Sequence, residues 1–203
     1  MGIIINFRDI LIYKGGSIML DKTKMLEIEE ITSKLLANIS FENSPSVDIV
    51  SLVKKDNFDV QTNEMDIETT GLLFVNDDEK TKNRLIVVNT MFKNPDNESD
   101  VVFKKSRFIT AHEYGHFILH RKNEQPIYAH RDTYHRTEPM ELEADYFARS
   151  ILMPLKQFKS YYDVLNQLGN NDEAFTIELL SKTFKVTRNK IRKRVEDLLV
   201  LNQ

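Results

Sequence analysis

The chain has 203 residues, 41% apolar and 29% charged, enough for one substantial core and in the range of a folded rather than a disordered protein. A net charge of −3 supplies no global field that would draw the whole chain onto nucleic acid or an anionic membrane. The absence of cysteine excludes disulfides, thiolate metal sites and a cysteine nucleophile, and it predicts a cytoplasmic location; no apolar run approaches the ~18 residues of a membrane span.

The N-terminal stretch MGIIINFRDILIYKGG is apolar, but no basic region precedes it and no small-residue cleavage site follows it, so it does not read as a signal peptide. Lys14-Gly15-Gly16 fits a purine-rich ribosome-binding sequence, with Met19 at the spacing of a start codon. Residues 1–18 are therefore read either as a non-native leader or as a short N-terminal strand.

From Asp21 to Asn38, Ile28, Ile31 and Leu35 recur at helical spacing. Ser44-Pro45 predicts a helix start with a serine cap, running through Val47, Val50 and Val53 to Lys55. Three strand-like runs follow, Phe58–Thr62, Glu68–Asn76 and Arg84–Asn89, the last two joined by the polar segment DDEKTKN. They predict a small antiparallel sheet. A helix beginning near Asp100 or Ser106 ends at His120, Arg121–Thr137 reads as a long polar loop, and another helix spans roughly Glu138 to Met153 before Pro154. The remainder, Leu155–Gln203, reads as all helix.

Residues 112–116 are His-Glu-Tyr-Gly-His. On a helix, positions i and i+4 share one face about 5.4 Å apart, so the His112 and His116 imidazoles can converge on one metal ion. Glu113, next to the first ligand, can act as general base without ligating the metal. Phe108, Ile109, Phe117, Ile118 and Leu119 flank the motif and predict that it is buried. Gly115 inside this helix costs about 1 kcal/mol relative to alanine, which implies that another backbone comes close there. By itself such a motif also fits a helix with two histidines and no metal.

The next helix offers Glu141 and Asp145 at i, i+4 in the run ELEADYFA. Glu141 completes a two-histidine, one-carboxylate set suited to Zn²⁺ with one position left open. Asp145 is placed to accept the second ring N–H of a ligand histidine and fix its tautomer. Glu143 is the alternative carboxylate ligand, although it points to a different face. The competing reading is a solvated acidic face, opposed by the apolar Phe147, Ile151 and Leu152 beside it.

RFITAHEYGHFILH followed by EPMELEADYFARSILMP resembles the ImmA/IrrE family of bacterial metallopeptidases, and SPSVDIVSLVKKDNFDV extends the resemblance over about residues 44–155. It implies His112, His116 and Glu141 as metal ligands, Glu113 as general base and Asp145 as the group that orients a ligand. It also implies an α+β, thermolysin-like zincin core with the small sheet over the active-site helix. On this reading residues 19–155 form the zinc peptidase domain and 156–203 a helical C-terminal module. The implied activity is that of a regulatory endopeptidase cleaving a helix-turn-helix repressor of a phage or mobile element.

For an oxyanion-stabilising donor, Tyr128, His130, Tyr134 and His135 in the long loop are available, against the plainer reading of polar residues facing water. His120 is read as structural. In the C-terminal module Thr176 and Thr187 are placed as helix caps on either side of a short turn, a pattern that resembles a helix-turn-helix without the usual glycine. Residues 182–194 carry seven basic side chains and no acid, which could meet DNA phosphates or form a solvated or protein-docking face. The alternative function is thus a DNA-binding or scaffold regulator with a non-catalytic metal site; a peptidase with broader targets is a third.

Overall fold

The computed structural model describes residues 11–14, 17–66, 69–77, 83–91, 99–121, 127–131, 139–169 and 172–202. Strands β1 (Leu11–Lys14) and β2 (Ser17–Leu20) pair antiparallel. Helix α1 (Lys22–Leu35) starts where the Asp21 carboxylate accepts from the Lys24 amide at 2.9 Å, and it buries Met25, Ile28 and Thr32.

Helix α2 is shorter than the sequence predicts. It spans Ile49–Lys55, capped by Asp48 rather than Ser44, because the Asp48 side chain accepts from the Ser51 amide and takes the Ser51 hydroxyl at 2.7 Å. It ends with Asn57 in the left-handed region at φ 62°, which turns the chain straight into β3 (Phe58–Asn63).

Strands β4 (Gly71–Asn76), β5 (Asn83–Asn89) and β6 (Ile127–Arg131) join β3 in a four-stranded sheet of order β3-β5-β4-β6. The expected antiparallel sheet is in fact mixed: β4 runs antiparallel to β5 and β6, but β3 and β5 are parallel. The cause is a crossover. The segment between β3 and β4 carries the chain past β5, so that β4 returns as its other neighbour. Buried Asn89 organises that segment: its amide donates to the carbonyls of Met65, Asp66 and Thr69 and its oxygen accepts from the Met65 and Met91 amides. The sequence marks neither this hub nor β6, which lies inside the stretch expected to be loop.

Helix α3 (Ser99–His120) lies on the sheet face formed by Leu73, Val75, Ile86 and Val88. Every residue from Arg107 to Phe117 is buried, so this helix has no solvent stripe in its middle. Helix α4 (Pro139–Leu152) packs along it, and α1 covers α4 from the other side. Helices α5 (Leu155–Leu168), α6 (Glu173–Phe184) and α7 (Arg188–Leu201) complete the chain.

The caps of α6 differ from expectation. Asp172 caps it, accepting from the Phe175 amide, while Thr176 is buried one turn inside. Thr187 does stand at the N-terminus of α7, without a side-chain cap bond. Between them Lys185 adopts φ 55°, the left-handed conformation that glycine fills in similar turns. Among the described residues no helix is long and apolar enough to cross a membrane.

Candidate metal centre

Close contact between α3 and α4 builds the site, and Gly115 permits it. A Cβ at Gly115 would lie 2.9 Å from a ring carbon of Phe147 and 3.3 Å from the Ala144 backbone. The glycine in the motif is therefore the point where α4 seats on α3, as its helical cost suggests. Phe147, Ala144 and Ala148 are fully buried there.

That seating brings together the three predicted ligands. His112 Nε2 and His116 Nε2 are 3.1 Å apart; Glu141 Oε2 is 3.2 Å from the former and Glu141 Oε1 is 3.0 Å from the latter. One ligand atom from each residue can be chosen with all three within 4.8 Å of one another. His112 is fully buried and His116 nearly so, while the Glu141 side chain is 16% exposed. Burial alone would raise the Glu141 carboxyl, but hydrogen bonds and charge from His112 and His116 hold it far below the usual carboxylate range.

Asp145 lies beside His112, with its Oδ1 2.9 Å from His112 Nδ1. A carboxylate there accepts the Nδ1–H and leaves the Nε2 lone pair directed into the cluster. Glu143 is not part of it. Its carboxyl faces α1, where burial together with Glu27 and Asp21 raises it and Lys24 opposes the rise.

Glu113, next in sequence to His112, is fully buried. Gly71, the first residue of β4, abuts it: a Cβ at Gly71 would fall 2.7 Å from Glu113 Oε1 and 2.6 Å from Ile109 Cγ2. The sheet thus meets Glu113 at a residue without a side chain. Nothing in the β4 pattern of the sequence points to this role, although a glycine leading an apolar strand invites the question.

His120 stands at the end of α3. Its Nε2–H donates to the Met140 carbonyl at 3.1 Å, tying the end of α3 to the start of α4. Burial and the neighbouring His116 push its pKa down to about 4, so it is neutral at physiological pH. Tyr128 and His130 fall on β6, in register with Phe74 and Leu72, and their side chains lie outside the described residues, as do Tyr134 and His135 altogether.

Two imidazoles and one carboxylate form a group that could hold a metal ion. No curated protein matches the chain. The sequence does match the family described as the IrrE N-terminal-like domain, Peptidase_M78, over residues 55–196. The match runs past the 44–155 stretch that carries the motif resemblance and into α7. That match covers more than half of the sequence and includes His112, Glu113, His116 and Glu141, and the chain belongs to the Peptidase_M78 family of IrrE N-terminal-like domains.

Proposed function

We infer that the protein is a zinc-dependent endopeptidase acting in the cytoplasm on a partner protein, a helix-turn-helix repressor of a phage or mobile element. The observation that carries this is the convergence of His112, His116 and Glu141, with a fully buried Glu113 next in sequence to the first of them. The donor set fits the ion: two nitrogen ligands and one oxygen ligand suit zinc and leave a position for water or substrate. His112, His116 and Glu141 would hold it. A bound zinc ion supplies Lewis acidity, polarising a carbonyl and lowering the pKa of a water to about 7.

The chain's own residues do the rest. Glu113 takes the proton of the attacking water and returns it to the leaving amine nitrogen. Asp145 keeps His112 in the ligating tautomer. Gly71 leaves Glu113 its place against the sheet. Strand β6 is terminal in the sheet, so a substrate segment added to its outer edge would have β6 between it and the β4 strand that carries Gly71.

The alternative, a DNA-binding or scaffold regulator, draws on the basic run 182–194. Of its side chains, Arg194 is buried and Lys190 reaches Asp145, while Lys182 and Arg188 pair with Glu178 and Lys193 with Glu196. These contacts favour a docked helix, so the peptidase reading stands first.

The test is incubation of the zinc-loaded protein with a repressor encoded beside its gene, read by mass spectrometry. Cleavage at one bond by the wild type and none by Glu113→Gln supports the reading. Equal cleavage by both, or none by a wild type holding one zinc, opposes it.

A further inference from the structure

Asp145 divides its two oxygens between two elements of the fold. Oδ1 lies 2.9 Å from His112 Nδ1, and Oδ2 accepts from Lys190 Nζ at 3.2 Å. Lys190 belongs to α7, 45 residues further along the chain. Its ammonium also sits 3.7 Å from the centre of the Phe108 ring, one turn before His112 on α3. The Lys190 side chain is 21% exposed and that of Asp145 29%, so the pair is partly withdrawn from water.

The base of this contact is rigid. One turn beyond Lys190, Arg194 is fully buried and forks onto Glu29 of α1, with Nη1–Oε1 at 2.6 Å and Nη2–Oε2 at 3.1 Å, while its Nε donates to the Met153 carbonyl. Arg149 of α4 pairs with Asp197 of α7 at 2.6 Å. α7 is thus locked to α1 and α4 immediately after the residue that reaches the metal-orienting carboxylate. A carboxylate held only through Oδ1 can swing about its two side-chain torsions; one held through both oxygens cannot without breaking a charge-assisted bond.

We propose that Lys190 is a positioning residue of the metal centre: by anchoring Asp145 Oδ2 it fixes the carboxylate that orients His112, and it makes metal affinity depend on the docking of α7. This rests on the metal-centre reading above. An outer partner of a ligand histidine is worth about 10–100-fold in metal affinity, and a group acting through that partner should be worth less, about 3–10-fold.

The experiment uses the full chain as wild type, Lys190→Met, Lys190→Arg, Asp145→Asn and the Asp145→Asn/Lys190→Met double variant. Zinc dissociation constants are measured by competition with a chromophoric chelator, and the melting temperatures of the zinc-stripped proteins are recorded alongside. Lys190→Met should weaken zinc binding by about 3–10-fold, Lys190→Arg should restore most of it, and in the Asp145→Asn background Lys190→Met should add less than about twofold. An equal loss in both backgrounds, or a wild-type zinc affinity retained by Lys190→Met, overturns the proposal while leaving the metal centre intact. If the wild type itself binds no zinc, the metal centre falls and this proposal with it.

Discussion

The α3–α4 pair and the α6–α7 pair are both helix pairs rich in charge, and they differ in what their charges are for. In the first, the polar groups converge on one point: His112, His116 and Glu141 face one another, Asp145 holds His112, and the surrounding residues are apolar. In the second, a run of cations disperses around a helix. Arg194 goes inward to Glu29, Lys190 goes sideways to Asp145, and Lys193 pairs with Glu196 at the surface. The lesson is that spacing predicts where a side chain goes and charge alone does not. A run of like charge reads as a surface, yet one largely buried anion is enough to take one of its members into the core.

The comparison can be broken most sharply at the first pair. Glu113→Gln keeps the shape and removes the base, so turnover should fall by about 10²–10⁴-fold with zinc content unchanged, checked by parallel kinetics and metal analysis. At the second pair, Arg194→Leu leaves the largely buried Glu29 with the Tyr146 and Ser150 hydroxyls but no cation, and should cost up to about 3 kcal/mol in urea unfolding. The same pair has a pH signature. Burial raises the Glu29 carboxyl, but Arg194, Ser150 and Tyr146 together bring it below its ordinary value in the folded chain. Its stabilisation is therefore complete above the unfolded value near 4.5 and is lost as pH falls through the lower folded value. Acid unfolding curves of wild type and Arg194→Leu should converge on that side.

Smaller effects sharpen the contrast. Gly115→Ala pushes on Phe147 and the Ala144 backbone, so it should destabilise by about 1–3 kcal/mol in thermal unfolding and also weaken zinc binding by moving Glu141 off the histidines. Lys185→Gly relieves a left-handed residue in the α6–α7 turn and should stabilise by up to about 1 kcal/mol with no effect on zinc, measured by the same melts.

What was legible in the sequence follows the same division. Fixed-offset chemistry could be read: the i, i+4 histidines, the acid on the following helix, the apolar flanks, and the glycine whose helical cost signalled close packing. Long-range pairing could not. The parallel partnership of β3 and β5 depends on a crossover organised by Asn89, a single polar residue at the end of an apolar strand. Strand β6 lies in a polar stretch and is held by main-chain bonds to β4, which leave no side-chain pattern. The helix caps went to Asp48 and Asp172 rather than to Ser44 and Thr176, because several acceptors stood near each start and only the packed geometry chose among them. Gly71 and Lys190 act on the site from β4 and α7, at separations that no local motif reports.

The most direct measurement is zinc bound per chain at equilibrium for wild type, Glu141→Ala and Glu113→Gln. The account predicts one equivalent in the wild type and in Glu113→Gln, and loss of tight binding in Glu141→Ala. A wild type that takes up no zinc, or a Glu141→Ala variant that holds it as tightly as the wild type, would contradict it.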